Sequence, residues 1–147
     1  MTTELRVAGH PAPQGSKRAF RNQHTGRIQQ VENSERVAPW RQDVRQAVTD
    51  QALDAHYAGP VAVFIQFVFQ RPKSHYRTGR NSHLLRDAAP PRPYGKTNDV
   101  DKLARAVLDA LTSSQLLDDD GQVVHLVATK VYGPHSGAFI RVEEVTG

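Results

Sequence analysis

Apolar positions along the chain follow two periods, and they divide it into strands and helices. Residues 3–9 (TELRVAG) alternate, with Leu5 and Val7 on one face, and predict a short strand. Residues 39–57 (PWRQDVRQAVTDQALDAHY) place Trp40, Val44, Ala47, Val48, Ala52 and Leu53 on one stripe, with Arg41, Arg45, Asp50 and Asp54 off it. That spacing predicts a helix. Pro39 suits its first position, Gly59-Pro60 stops it, and Trp40 is expected in the core. Residues 61–70 (VAVFIQFVFQ) are almost continuously apolar and rich in β-branched and aromatic types, which predicts a central strand. A second helix is predicted over residues 99–114, capped by Asn98 or Asp99, with Leu103, Ala106, Val107, Ala110 and Leu111 as its buried stripe. After a turn at 116–121, residues 122–131 and 138–145 read as strands, joined through Gly133-Pro134-His135-Ser136-Gly137 as a hairpin. The fold class is α+β: a small mixed β-sheet with two main helices, one domain over residues 1–147, without internal repeats.

Two stretches escape both periods. Residues 10–28 are broken by Pro11, Pro13 and Gly15 and loaded with Lys17, Arg18, Arg21 and Arg27, so they read as a loop. Gly15-Ser16-Lys17 resembles the end of a phosphate-binding loop, but the upstream glycine is missing, which excludes an NTPase reading. Residues 71–97 show little periodicity; a loop of that length is uncommon in a compact domain unless it is functional or disordered. Its Arg, Lys, His and Pro content suits a mobile basic loop over 74–97 that orders on nucleic acid, with His75, Tyr76 and His83 as candidates for stacking on bases. The same compositions also suit plain solvated loops.

Charge changes this picture. The chain carries a formal net charge of +4 and a pI of about 9.7, which favours a polyanionic partner, nucleic acid before an anionic membrane surface. Hydrophobic residues make up 38%, low enough that much surface is polar or the core is completed by dimerising. There is no cysteine, which excludes disulfides, Cys-ligated zinc and thiol nucleophiles. The first residues lack the apolar core of a signal peptide, and no run approaches the roughly 18 apolar residues of a membrane span. A cytoplasmic protein is expected.

The charge is also unevenly spread. Residues 71–96 hold seven bases against Asp87, a net +6, while residues 98–124 hold six acids (Asp99, Asp101, Asp109, Asp118, Asp119, Asp120) against Lys102 and Arg105, a net −4. If 99–101 is extended, Asp99 and Asp101 point the same way; if it is helical, Asp101 and Arg105 share a face one turn apart. Either way the carboxylates lie near the positive end of a helix dipole. Asp119 or Asp120 from the next loop would complete an oxygen site of the kind Mg²⁺ takes, with waters left for substrate phosphate. Such a metal would polarise a phosphodiester and activate water. Arg105 would stabilise transition-state charge and Lys102 would contact phosphate, with His125 and Lys130 as weaker candidates. Helix capping by Asp99 and a solvated DDDG turn are the structural alternatives, and Asp109 and Asp118 read as structural.

The pattern Asp99-Val100-Asp101-Lys102-Leu103-Ala104-Arg105, then Asp109-Ala110-Leu111, then Asp119-Asp120-Gly121-Gln122-Val123, resembles the RusA family of Holliday junction resolvases, common in phages and prophages. Pro13-Gln14-Gly15-Ser16-Lys17-Arg18 is similar to the opening loop of phage-type members, and Arg71-Pro72-Lys73 is similar in kind to the end of their strand. The resemblance implies a homodimeric, Mg²⁺-dependent endodeoxyribonuclease, with Mn²⁺ as a substitute, that makes paired cuts across four-way DNA junctions in the cytoplasm of a bacterial or phage-infected cell. It implies Asp99, Asp101 and Asp120 as metal ligands and Arg105 as the essential cation. Lys102 stands where the family carries asparagine, and Arg105 where it carries lysine. Lys17, Arg18, Arg21, Arg71, Lys73, Arg77, Lys96 and Lys102 are the expected DNA contacts. Two other readings remain: a flap- or fork-selective nuclease of the same fold, and a junction-binding module without catalysis.

Overall fold

A computed structural model of the chain describes residues 1–15, 18–21, 28–31, 35–95 and 97–147, with backbone alone at 18–21 and 28–31. Its main sheet has four strands, β1 (Thr2–Ala8), β4 (Val61–Phe69), β5 (Val123–Tyr132) and β6 (Gly137–Glu144), in the order β1-β6-β4-β5. β2 (Arg18–Arg21) and β3 (Ile28–Val31) pair antiparallel as a separate two-stranded sheet. Two helices, α1 (Val37–Gln51) and α2 (Val100–Ser113), pack on one face of the main sheet. This is the expected α+β architecture of a mixed sheet and two helices.

β4 holds the centre because its apolar run is too long to leave an edge open. It pairs antiparallel with β6 on one side and parallel with β5 on the other. The expected hairpin between residues 122–131 and 138–145 is therefore wrong: both strands form, but β4 lies between them. The link 133–136 crosses the end of β4, and Gly133 N donates to Phe69 O. Two glycines permit this crossing. A Cβ on Gly137 would strike the carbonyl of Val7, and one on Gly133 would strike the side chain of Val68.

The core lies between the sheet and the helices. Leu5, Val63, Ile65, Phe67, Ile140 and Val142 meet Trp40, Val44, Val48, Leu103, Val107 and Leu111. Trp40 is the buried anchor that its solitary place in the sequence implied. Helix α1 begins two residues before Pro39, within the first turn, where a missing N–H costs nothing. It stops at Gln51, earlier than the expected 57, and the Gln51 side chain seals the open edge of β1: its Oε1 accepts from Arg6 N at 2.8 Å and its Nε2 donates to Arg6 O at 2.7 Å. Leu53 consequently falls outside the stripe and is 72% exposed.

The two aperiodic stretches carry more structure than expected. β2 and β3 lie within or beside the first, each only four residues long and too short for a period to register. The second contains single 3-10 turns at Lys73–His75 and Gly79–Asn81 and an antiparallel bridge between Tyr76 and Leu85. Arg71 anchors it, donating to Pro90 O at 2.8 Å with its guanidinium 4.2 Å from the Tyr132 ring centroid.

Because β4 and β5 are parallel, the chain between them must return along the sheet, and α2 makes that return. Fourteen residues of helix span about 21 Å. The N-terminus of α2 therefore sits at the edge where β4 and β5 end, and Lys130 Nζ there donates to Asn98 O at 3.0 Å. Its C-terminus sits at the edge where they begin. The outer edge of β5 is unpaired within the described residues, and Val124, Leu126 and Val127 are exposed along it.

Tyr57 ties the lower edge together. Its hydroxyl donates to Val142 O at 3.1 Å and shares a 2.8 Å hydrogen bond with Thr3 Oγ1. Burial pushes its pKa above the ordinary value, with the Thr3 bond partly opposing. The contribution of the neutral phenol is complete below about pH 10 and is lost as pH climbs through the raised value. Tyr57→Phe is expected to cost about 1–2 kcal/mol in urea unfolding at neutral pH, and to reduce the fall in stability above pH 10 seen in the parent.

Candidate metal and DNA site

Asn98 turns the chain into α2 with φ +60°, a left-handed conformation that asparagine tolerates better than most residues. Asp99 occupies the N-cap position, yet its side chain makes no capping bond. Its carboxylate instead stands 3.5 Å from Lys102 Nζ, three residues along. Asp101 lies in the first helical turn and Arg105 one turn beyond, both exposed and without a hydrogen-bond or ion-pair partner among the described residues. The helix begins at Val100, so Asp101 and Arg105 follow the helical alternative while Asp99 keeps a non-helical backbone at ψ 132°. The carbonyl of Lys102 accepts from Gln14 N at 3.1 Å, and Arg41 Nη1 donates to Gln14 Oε1 at 3.0 Å, which ties the segment after β1 to this helix end. At the same sheet edge, burial raises the pKa of Asp43 and nearby His10 opposes the shift.

The three consecutive aspartates separate by what they bond. Asp118 Oδ1 is 2.7 Å from His56 Nε2. Asp119 caps the 3-10 turn Asp120–Gln122: its Oδ2 accepts from Gly121 N at 2.9 Å, and the Gln122 side chain bonds back in a capping box. Gln122 Oε1 accepts from both Asp118 N and Asp119 N, and its Nε2 donates to Tyr57 O and Gly59 O. Asp120 alone is left exposed and without a partner among the described residues. Sequence reasoning assigned no role to Gln122, although the D-x-x-Q spacing from Asp119 is the signature of that capping box.

The carboxylates are not all brought together in one chain. Asp99 and Asp101 stand at the N-terminal end of α2. Asp120 follows the turn at its C-terminal end, where Leu116 N and Leu117 N bond Leu111 O. The ten helical steps from Asp101 to Leu111 alone place these ends about 15 Å apart. Among the described residues, no group of three or more His, Cys, Asp or Glu is placed to hold a metal ion. Asp99 and Asp101 still fit a hard cation as a pair: both offer oxygen, neither is spent on capping, and Mg²⁺ accepts one or two carboxylates with water.

The expected cations also divide. Lys102 and Arg105 are at the helix end. Lys130 is engaged by Asn98 O, and His125 packs edge-on against Phe64 at 5.6 Å on the face without helices. Arg71 is held by Pro90 and Tyr132, Arg77 pairs with Asp87 at 3.2 Å, and Lys73 is exposed. Lys17 and Lys96, and the side chains of Arg18 and Arg21, lie outside the described residues.

The family model of endodeoxyribonuclease RusA matches residues 8–143, nearly the whole chain. The chain belongs to the RusA endodeoxyribonuclease family. The match spans both ends of α2, so the carboxylates at each end fall within the RusA region. No curated protein matches the sequence. Among the described residues, no helix is long and apolar enough to cross a membrane.

Neighbouring acids should respond differently to substitution. Asp119→Ala is expected to lower stability by about 1 kcal/mol through loss of its cap. Asp120→Asn should stay within about 0.5 kcal/mol of the parent. Equilibrium urea unfolding of both variants provides the measurement.

Proposed function

We propose that this protein is a Mg²⁺-dependent, structure-selective endodeoxyribonuclease that resolves four-way DNA junctions by paired phosphodiester hydrolysis as a homodimer. The observation that carries the reading is the pair Asp101 and Asp120, without partners among the described residues, with Asp99 at the N-cap position but not spent on capping, in a chain of an endodeoxyribonuclease family.

Asp99 and Asp101, with Asp120 supplied by a second copy, would hold Mg²⁺, whose chemistry there would be to polarise the phosphodiester and acidify a bound water. The helix N-terminus carries partial positive charge, which favours an approaching phosphate. Lys102 is drawn from Asp99 toward that phosphate. Arg105, planar and permanently charged, offers donors to the non-bridging oxygens as negative charge builds in the transition state. Arg71, Lys73, Arg77, Lys96 and the cations at 17–21 hold the backbone, so that recognition rests on shape and charge.

The distance between the ends of α2 supports the dimer. A second copy related by a two-fold axis presents its ends in reverse order, so the partner's Asp120 can approach Asp99 and Asp101. The open edge of β5 suits that partner. It is ten residues long, unpaired among the described residues and exposes Val124, Leu126 and Val127, and an antiparallel edge-to-edge contact is self-complementary under a dyad. Two such sites also match the two cuts a junction needs.

Cleavage of a synthetic four-way junction, compared with a flap and a plain duplex, tests the activity. Asp101→Asn is expected to bind the junction and not cut it in Mg²⁺. A parent protein that binds junctions and cuts none with any divalent metal would defeat the nuclease reading; a preference for flaps would shift it to fork processing. The shared site makes a sharper demand. Coexpressed Asp101→Asn and Asp120→Asn chains, each inactive alone, should regain nicking, because the mixed dimer contains one intact set of ligands. Absence of rescue in a verified mixed dimer means that the site is not shared.

A further inference from the structure

The side-chain amide of Gln122 is bonded on every side. Its Oε1 accepts from Asp118 N at 2.7 Å and from Asp119 N at 3.0 Å, and its Nε2 donates to Tyr57 O at 2.8 Å and to Gly59 O at 2.9 Å. A primary amide has two donor hydrogens and two acceptor lone pairs, so this one is fully used. The acceptor half closes the turn that carries Asp120. The donor half fastens that turn to the linker between α1 and β4.

The same linker grips the turn elsewhere. Tyr57 N donates to Leu116 O at 2.9 Å, and His56 Nε2 lies 2.7 Å from Asp118 Oδ1. Tyr57 is itself buried and fixed to the sheet through its hydroxyl, which reaches Val142 O and Thr3 Oγ1. Within the turn Asp119 Oδ2 accepts from Gly121 N, and a Cβ on Gly121 would stand 2.6 Å from that oxygen. The turn is exposed, yet its backbone is bound on both sides of Asp120. The Asp120 side chain bonds nothing among the described residues. Its place is therefore set by the backbone around it, and Gln122 ties that backbone to the body of the protein.

We propose that Gln122 is a positioning residue of the metal centre, holding Asp120 in place through the 57–59 linker before the cation arrives. A carboxylate on a loose loop must be ordered when the ion binds, which weakens binding; one held in advance avoids that loss. Groups that orient metal ligands without touching the metal commonly contribute about ten- to a hundredfold in affinity. Gln122 offers the ion no ligand of its own, because both halves of its amide are spent. It acts on the affinity for Mg²⁺, not on the hydrolytic step. This inference rests on the reading of Asp120 as a ligand supplied to a shared site, and deepens it.

The test titrates junction cleavage with Mg²⁺. Gln122→Met keeps the length of the side chain and removes its bonds. Its half-saturating Mg²⁺ concentration should rise about tenfold or more above the parent's, with the rate at saturating Mg²⁺ close to the parent's. Gln51→Met makes the same exchange at the edge of β1, where it removes the bonds to Arg6, and controls for stability. It should leave the Mg²⁺ requirement unchanged. Mixed dimers of Asp101→Asn and Asp120→Asn chains give a second readout, because their one intact ligand set takes Asp120 from the Asp101→Asn chain. Gln122→Met added to that chain should raise the Mg²⁺ requirement for nicking; added to the Asp120→Asn chain it should not. General loss of stability would act alike in both placements. An unchanged Mg²⁺ requirement in Gln122→Met, or the same result from both placements, overturns the positioning role and leaves the nuclease reading intact. A parent that cuts no junction, or an Asp120→Asn protein that cuts as the parent does, defeats the nuclease or ligand reading instead. If Gln122→Met fails to fold, Gln122→Asn, which keeps the amide but is one methylene too short to span turn and linker, decides by the same criteria.

Discussion

The parallel pairing of β4 with β5 is the constraint on which the rest of the molecule depends. Parallel neighbours cannot be joined by a tight turn, so a crossover must carry the chain back, and here it is α2. That return buries Leu103, Val107 and Leu111 against the sheet. It also brings the helix N-terminus, with its partial positive charge, to the edge where both strands end, so Asp99, Asp101, Lys102 and Arg105 emerge together. By the same geometry Asp120 is carried to the other end. One pairing choice thus creates the core, assembles half of the proposed site and separates the other half from it.

Hydrogen-bond satisfaction then sorts chemically identical side chains. The turn after α2 has backbone N–H groups to satisfy, and Asp119 and Gln122 do this. Asp118 turns to His56. Among the described residues Asp120 and Asp101 are left over, and Asp99 has only Lys102 beside it at 3.5 Å. Carboxylates without local partners incur little penalty where water reaches them, and they stay available to a cation. The site proposed to be shared by two copies would use these residues without disturbing the turns that hold them, and the side chains exposed along β5 would give the proposed copies a surface to bury.

Much of the fold was legible in the chain because its periods are clean. The alternation through Leu5 and Val7, the unbroken apolar run of β4 and the stripe of α2 each permit one kind of element. The motif over α2 and the following turn carried the family assignment for the same reason, since its spacings survive any arrangement of the rest. What misled was local similarity. Gly133-Pro134 and Gly137 are good hairpin residues, and nothing nearby reveals that β4 lies between the strands they connect. Leu53 continues the stripe of α1 in sequence, but Gln51 ends that helix by binding the edge of β1, a partner 45 residues away.

By itself the sequence determined the elements, the charge division between residues 71–96 and 98–124, and the motif of an endodeoxyribonuclease family. These depend on side-chain type and on spacing along the chain, where a short-range rule suffices. Only the tertiary structure decided which strands are neighbours, which aspartates are spent on turns, and that Asp99 and Asp101 stand a helix length from Asp120. Those outcomes arise from competition among distant groups for hydrogen bonds and burial. Residue spacing does not encode the result of that competition, because it is settled only when the sheet closes around β4.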